Sequence, residues 1–185
     1  MAKPEERILT HISNLRPVKR ITDVIRVFHK VLSKIPAKLI IVGDGPEKEI
    51  AETLCKKLDI KAQVLFLGNS SEIDKILCFS DLFLLPSEKE SFGLAALEAM
   101  ACGVPVISSN AGGLPEVNTH GITGFLSDVG DVETMAKYAL EILKNNQSLT
   151  TFKAQAKQAA KTFDTSKIVP LYEAIYKRAY ASTTV

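Results

Sequence analysis

Lys38-Leu39-Ile40-Ile41-Val42-Gly43-Asp44-Gly45-Pro46-Glu47-Lys48-Glu49-Ile50-Ala51-Glu52-Thr53-Leu54-Cys55-Lys56-Lys57-Leu58 is the stretch that decides the fold. Lys38–Val42 is a short apolar run of strand-forming residues, and Gly43-Asp44-Gly45-Pro46 is a tight turn. Pro46–Leu58 then reads as a helix with Pro just inside its start and acidic residues in its first turn, where they complement the helix dipole.

Outward from this unit the same alternation repeats. Further strands are expected at Ile8–Ile12, Gln63–Leu67, Leu82–Leu85, Val104–Ser108 and Gly124–Leu126. Most are continuous apolar runs rather than strict alternations, which suits strands of a parallel sheet covered on both faces. Helices are expected at Ile21–Ile35, stopped by Pro36, and at Ser71–Phe79 and Gly93–Cys102. After Asp131 three helical patterns follow with no further strand: Asp131–Lys144, Leu149–Lys161 and Ser166–Tyr180. The last has Ile168, Leu171, Tyr172, Ile175 and Tyr176 along one apolar face. The whole predicts an α/β fold, a Rossmann-like doubly wound parallel sheet with extra C-terminal helices, as one domain over residues 1–185.

Composition excludes several function classes. The 185 residues are 46% hydrophobic and 24% charged, with a net charge of +2. That is a soluble globular composition without the basic excess of a nucleic-acid binder, and with no Trp it offers a poor stacking platform. No transmembrane segment is expected, because no apolar run nears the ~20 residues a span requires. The charged start Met1-Ala2-Lys3-Pro4-Glu5-Glu6 is followed by no signal-like apolar stretch. Cys55, Cys78 and Cys102 lack metal-ligand spacing, so buried reduced thiols and a cytoplasmic location are expected. His11, His29 and His120 share no metal-binding spacing either, and a structural role is expected for each. No metal site is expected.

In doubly wound folds ligands bind outside the carboxyl ends of the strands. The loops there are Ser13–Arg20, Gly43–Glu47, Pro86–Gly93 and Asn110–Glu116. Seven residues separate Glu90 from Glu98, the first in a loop and the second inside a helix. Between them Ser91-Phe92-Gly93-Leu94 would turn free backbone N–H groups outward at a helix start, an anion site that Gly93 lets a phosphate approach closely. A capped, solvated helix start explains the same spacing. Arg16, Lys19 and Arg20 are positive charges suited to a diphosphate leaving group, or a solvated charged loop. Gly43 belongs to a turn that its tight geometry alone explains. No GxGxxG, P-loop, GxSxG or zinc signature is present.

Taken together, these loops resemble the carboxy-terminal domain of the retaining family-4 glycosyltransferases, which have the two-domain GT-B fold. The resemblance covers essentially the whole chain. It is carried by Glu90-Ser91-Phe92-Gly93-Leu94-Ala95-Ala96-Leu97-Glu98, the family's E-x7-E signature, running into Ala99-Met100-Ala101-Cys102-Gly103-Val104-Pro105-Val106. Gly112-Gly113-Leu114-Pro115-Glu116, Gly121–Leu126 and the closing Phe163-Asp164 with Tyr172–Tyr176 follow in the family's order.

The resemblance implies a nucleotide-sugar donor site and no further cofactor. Glu90 would touch donor-sugar hydroxyls, Glu98 would accept from the ribose, and Lys19 would meet the diphosphate. The family's partner arginine usually follows a Gly; this chain has Ser13-Asn14 there, and Arg16 is its expected substitute. Ser91, Phe92, Gly93, Leu94 and Gly43 complete the expected donor contacts. The stretches Ile12–Arg20 and Ser87–Leu94 look closest to the bacillithiol-pathway subgroup that moves N-acetylglucosamine from UDP to L-malate. The amino-terminal acceptor domain would be the missing partner, and the terminal helix would cross back to it. A non-catalytic UDP-sugar-binding module or engineered fragment, and a GT-B-like nucleotide-sugar epimerase, are the alternative readings.

Overall fold

The computed structural model describes residues 5–183, so Met1 to Pro4 of the charged start lie outside the described residues. Strands are β1 (Arg7–Ile12), β2 (Ala37–Val42), β3 (Val64–Gly68), β4 (Leu82–Leu85), β5 (Val106–Ser109) and β6 (Gly124–Ser127). Helices are α1 (Ile21–Leu32), α2 (Lys48–Lys57), α3 (Ile73–Cys78), α4 (Leu94–Ala101), α5 (Leu114–Val117), α6 (Val132–Leu143), α7 (Asn146–Ala160) and α8 (Thr165–Thr183). The strands form one sheet in the order β3-β2-β1-β4-β5-β6, every neighbouring pair parallel. This is the doubly wound α/β architecture, with the strand order reversing between β1 and β4.

β4 shows why its sequence is an unbroken apolar run. Leu82 and Leu84 join the core on one face, with α1, α2 and α6, while Phe83 and Leu85 join the core on the other, with α4 and α7. Successive residues of a strand point to opposite faces, so a strand covered on both favours apolar residues at every position, and β4 has them. α1 packs on the first face through Val24, Val27, Phe28 and Val31, each worth about 1.5–3 kcal/mol when fully buried.

Several expectations shift. β3 is an edge strand: Val64 and Phe66 pack on the core, but Leu65 and Leu67 are exposed, because among the described residues no helix covers the other face there. β5 starts at Val106, not Val104, after Pro105. α2 starts at Lys48, with Pro46 and Glu47 still in the turn, and α7 starts earlier than expected, where Asn145 caps the Gln147 amide at 2.8 Å. α5 has no counterpart among the expected helices, its four residues being too few to show a periodicity. Cys55 is buried, but Cys78 is exposed and Cys102 only partly covered, so the expectation of three buried thiols fails. The apolar stripe of α8 exists, yet Leu171, Tyr172, Ile175 and Tyr176 are all exposed. Among the described residues no helix is long and apolar enough to cross a membrane.

Between β5 and β6 the fold relies on one buried amide. Asn118 Nδ2 donates toward Val106 O, Ser108 Oγ and Phe125 O at 3.1, 3.0 and 3.2 Å, and its Oδ1 accepts from Thr123 Oγ at 2.8 Å. Asn118→Ala strands these buried groups, so unfolding in urea should show a loss of about 2–3 kcal/mol.

Candidate functional site

β1 and β4 lie side by side but pair in register only at Leu9↔Leu82 and Thr10↔Phe83. Beyond these pairs the two strands part, and their loops flank the point where the strand order reverses. The carbonyl of Leu84, which the ladder no longer serves, is taken by a side chain: His11 Nδ1 donates to it at 2.9 Å. Nε2 of the neutral ring then accepts from Ser13 Oγ at 2.8 Å, and Ser13 Oγ accepts the Leu15 amide at 3.2 Å. His11 therefore reaches from β4 to the first turn of the β1 loop. Its ring is fully buried.

That loop is shaped from beneath. Leu15 is completely buried at φ 40°, an unusual conformation for a branched side chain, and anchors the loop in the core. A Cβ on Gly43 would fall 1.8 Å from Ser13 O, and one on Gly45 would fall 2.0 Å from Asn14 O. The Leu15 carbonyl also accepts from Glu47 N at 2.9 Å. Gly43, expected among the donor contacts, thus lies against the Ser13 backbone and lets the β1 loop rest on the β2 loop.

The β4 loop is supported the same way. Gly113 N donates to Glu90 O at 2.9 Å, and a Cβ on Gly112 would fall 1.9 Å from the same oxygen. The Gly112-Gly113 pair is the bed on which Glu90 and Ser91 lie. Glu88 N donates to Val18 O at 2.8 Å, tying the β4 loop to the β1 loop across the crevice.

Of the sequence candidates, Lys19, Glu90 and Ser91 meet in one cleft, while Glu98 lies in another. Lys19 Nζ donates to Glu90 Oε2 at 2.5 Å, both side chains being about four-fifths buried. They line a cleft of about 370 Å³ with Val18, Glu88, Lys89, Ser91 and Gly112. Gly93, at φ 99°, is the N-cap of α4, and no side chain caps the helix, so the first amides of Leu94 and its neighbours have no capping partner from Gly93. Phe92 is partly buried against Phe163, edge to face at 5.7 Å, which sets the path of the loop rather than exposing its ring. Glu98 is exposed further along α4, in a separate cleft of about 380 Å³ with Ser71, Asp74 and Cys102.

The three loop cations separate clearly. Arg16 is exposed, and its guanidinium has no hydrogen-bond or ion-pair partner among the described residues. Lys19 faces Glu90. Arg20 is turned away: its Nε donates to Asp23 Oδ2 at 2.6 Å, and the buried Asp23 also holds Arg26 at 3.1 Å. A larger open groove of about 680 Å³ between α1 and α6 is edged by Lys30, Lys34, Lys137 and Lys144, but Glu133 and Glu141 offset their charge. No group of three or more His, Cys, Asp or Glu among the described residues could hold a metal ion.

Residues 2–159 match the family model described as glycosyl transferases group 1. The chain belongs to this glycosyltransferase family. The group 1 chain is 48% identical over 172 residues to an N-acetyl-alpha-D-glucosaminyl L-malate synthase of Bacillus anthracis, which covers 92% of this chain and 45% of that protein. It is 33% identical over 193 residues to a D-inositol 3-phosphate glycosyltransferase of Mycobacterium marinum, over 98% of this chain and 40% of that one. It therefore spans less than half the length of these relatives. Anabaena HepE, solved with UDP and glucose, superposes with a TM-score of 0.82 at 27% identity, over 96% of this chain and 49% of HepE. The pneumococcal O-GlcNAc transferase GtfA, solved with UDP and GlcNAc, shares the fold with a TM-score of 0.85 at 20% identity, over 96% of this chain and 37% of GtfA.

His11 and Ser13 shape the candidate site from behind together with two glycine pairs. The glycines stand out in the sequence as turn and motif residues, whereas the bridging role of His11 emerges only once β4 lies beside β1. His11 also gives the site a pH signature. Burial lowers its pKa from 6.5 to about 4; the Leu84 carbonyl opposes this and the charge of Lys19 adds to it. Unfolded His takes up its proton near 6.5 while folded His11 does not, so stability falls as pH drops from 6.5 toward 4 and levels off below. The loss should reach about 3 kcal/mol, since each tenfold difference in proton affinity between the folded and unfolded chain is worth ~1.4 kcal/mol. In urea unfolding, His11→Gln should lack this part of the slope.

Proposed function

We propose that this chain binds the donor of a retaining glycosyltransferase, a UDP-sugar and specifically UDP-N-acetylglucosamine, for transfer to L-malate in the full-length enzyme. The observation that carries the reading is the Lys19–Glu90 pair at the β1/β4 crevice, beside the uncapped amides of α4. The 48% identity to the malate synthase supports the choice of donor and acceptor.

The pair explains how the site exchanges partners. A diphosphate brought to the α4 N-terminus presents more negative charge to Lys19 than one carboxylate does, and the helix amides and Arg16 reinforce it. Lys19 moves to the diphosphate, and Glu90 is released to accept hydroxyl hydrogens of the sugar. Glu98 accepts from the ribose. When the bond from the sugar to the β-phosphate breaks, the developing charge on the diphosphate meets Arg16, Lys19 and the amides already in place.

The acceptor belongs to a second, amino-terminal domain in this reading. The exposed Leu171, Tyr172, Ile175 and Tyr176 of α8 form an apolar surface suited to contact with it. Holding the acceptor against the donor is worth effective molarities on the order of 10⁵ M or more, so the chain alone should bind without turning over. Incubation with UDP-N-acetylglucosamine and L-malate should release no UDP above background. Malate-dependent UDP release would move the acceptor site into this chain.

Calorimetric titration tests the donor site directly. UDP should bind, more weakly as salt rises. Lys19→Ala should cost UDP affinity tenfold or more while leaving uridine nearly unaffected, at roughly 1.5–3 kcal/mol for a charged hydrogen bond. Glu98→Gln should weaken UDP and uridine alike, because both carry the ribose. Equal losses of UDP and uridine in Lys19→Ala would remove Lys19 from the diphosphate.

A further inference from the structure

The expectation of buried, inert thiols fails at one place, and that place is next to Glu98. Cys78 is the last residue of α3 and is exposed; Cys102 follows α4 as its C-cap and is partly covered. The Cys102 thiol reaches across to α3, its Sγ donating to the carbonyl of Asp74 at 3.8 Å. In a helix that carbonyl faces the amide four residues on, which is the amide of Cys78. Side chains on a helix also tilt back toward its N-terminus, bringing the Cys78 sulfur over the same turn. The two thiols therefore share one turn of α3. Burial, and then the neighbouring Cys78 thiol, push the Cys102 thiol up to about 11. Cys55, by contrast, is buried in the core with its thiol also raised to about 11 by burial.

We infer that Cys78 and Cys102 form a redox-active dithiol that closes to a disulfide on exposure to a hydroperoxide, pinning the end of α3 to the end of α4. Cys78, the exposed partner, reacts first. Its thiolate attacks one peroxide oxygen, the O–O bond breaks, and the other oxygen leaves as an alcohol or water after taking a proton. The sulfur is oxidised to a sulfenic acid and the peroxide is reduced. Cys102 then gives up its proton and its sulfur attacks that of Cys78. The S–O bond breaks, and the departing hydroxide takes the proton to leave as water.

The bond has a consequence for the nucleotide site, which rests on the proposed role of Glu98. Glu98 precedes Cys102 by four residues, one turn of helix, and both line the cleft between α3 and α4 with Ser71 and Asp74. A disulfide holds its two Cα atoms about 4.4–6.8 Å apart. Locking the ends of α3 and α4 at that separation fixes the cleft around Glu98 and removes the freedom of its two walls to adjust to a ribose.

The test uses the whole chain, reduced and freed of reductant, then exposed to tert-butyl hydroperoxide. Titration of thiols in denaturant should fall from the three of the sequence to Cys55 alone, with the mass lower by two hydrogens and no dimer on a non-reducing gel. Dithiothreitol should restore all three. Cys102→Ser should instead stop at a Cys78 sulfenic acid that dimedone traps, an adduct absent from the wild type. Three thiols surviving in the wild type, the same adduct in both proteins, or disulfide-linked dimers would overturn the pair. UDP affinity should fall several-fold in the oxidised chain and recover on reduction, with no change for Cys78→Ser. A closed disulfide with unaltered UDP affinity would overturn the link to Glu98. Failure of the reduced chain to bind UDP would sink the donor-site reading while the thiol count still decides the disulfide.

Discussion

Two central strands of this sheet have to lie together at one end and apart at the other. β1 and β4 are joined by ladder pairing only at Leu9–Leu82 and Thr10–Phe83, and the site exists because they then diverge. Divergence in a buried sheet leaves backbone groups without partners, which is costly unless something else serves them. His11 does so here, with one ring nitrogen on the Leu84 carbonyl and the other on Ser13. The crevice is held open by a neutral imidazole in place of a backbone ladder. Its neutrality follows from burial, and the charge of the nearby Lys19 reinforces it.

Everything on the crevice rim depends on how closely backbone can approach backbone. The β1 loop lies on Gly43 and Gly45, and the β4 loop lies on Gly112 and Gly113; at each of these positions a methyl group would overlap a carbonyl oxygen or its carbon. Positive φ angles at Gly43, Gly112 and Gly93 make the same residue necessary for conformational reasons. The result is a rim in which Lys19 and Glu90 face each other from different loops while Arg20, one residue along, is bound to Asp23 and turned away. The separation of these neighbouring cations is a property of the turn between them, where Arg20 itself is left-handed at φ 51°.

Much of the architecture is legible because burial imposes patterns on sequence. A strand covered on both faces favours apolar residues throughout, so Leu82–Leu85 forms a strand with the bounds its apolar run predicts, while β1 and β5 depart from the pattern where they bury Thr10, His11, Ser108 and Ser109. Edge and end effects are less legible. Leu65 and Leu67 read like core residues although they face outward, because a sequence does not say which strand ends a sheet. Cys78 has apolar neighbours that suggest burial, yet it closes a short helix at the surface. The apolar stripe of α8 is plain in the sequence, but periodicity does not tell what covers it.

The sequence by itself determined the parallel α/β alternation, the acidic pair Glu90 and Glu98 around a glycine-led helix start, and the basic loop after the first strand. Those are local facts, set by residue type and spacing within one segment. Tertiary structure alone decided that Lys19 meets Glu90, that Arg20 does not join it, and that Glu98 shares its cleft with Cys102. The first depends on β1 and β4, far apart in the chain, becoming neighbours; the second on the left-handed turn that hands Arg20 to Asp23; the third on α3 packing beside α4. Chain order does not state that adjacency; it follows from how the helices can cover both faces of one sheet.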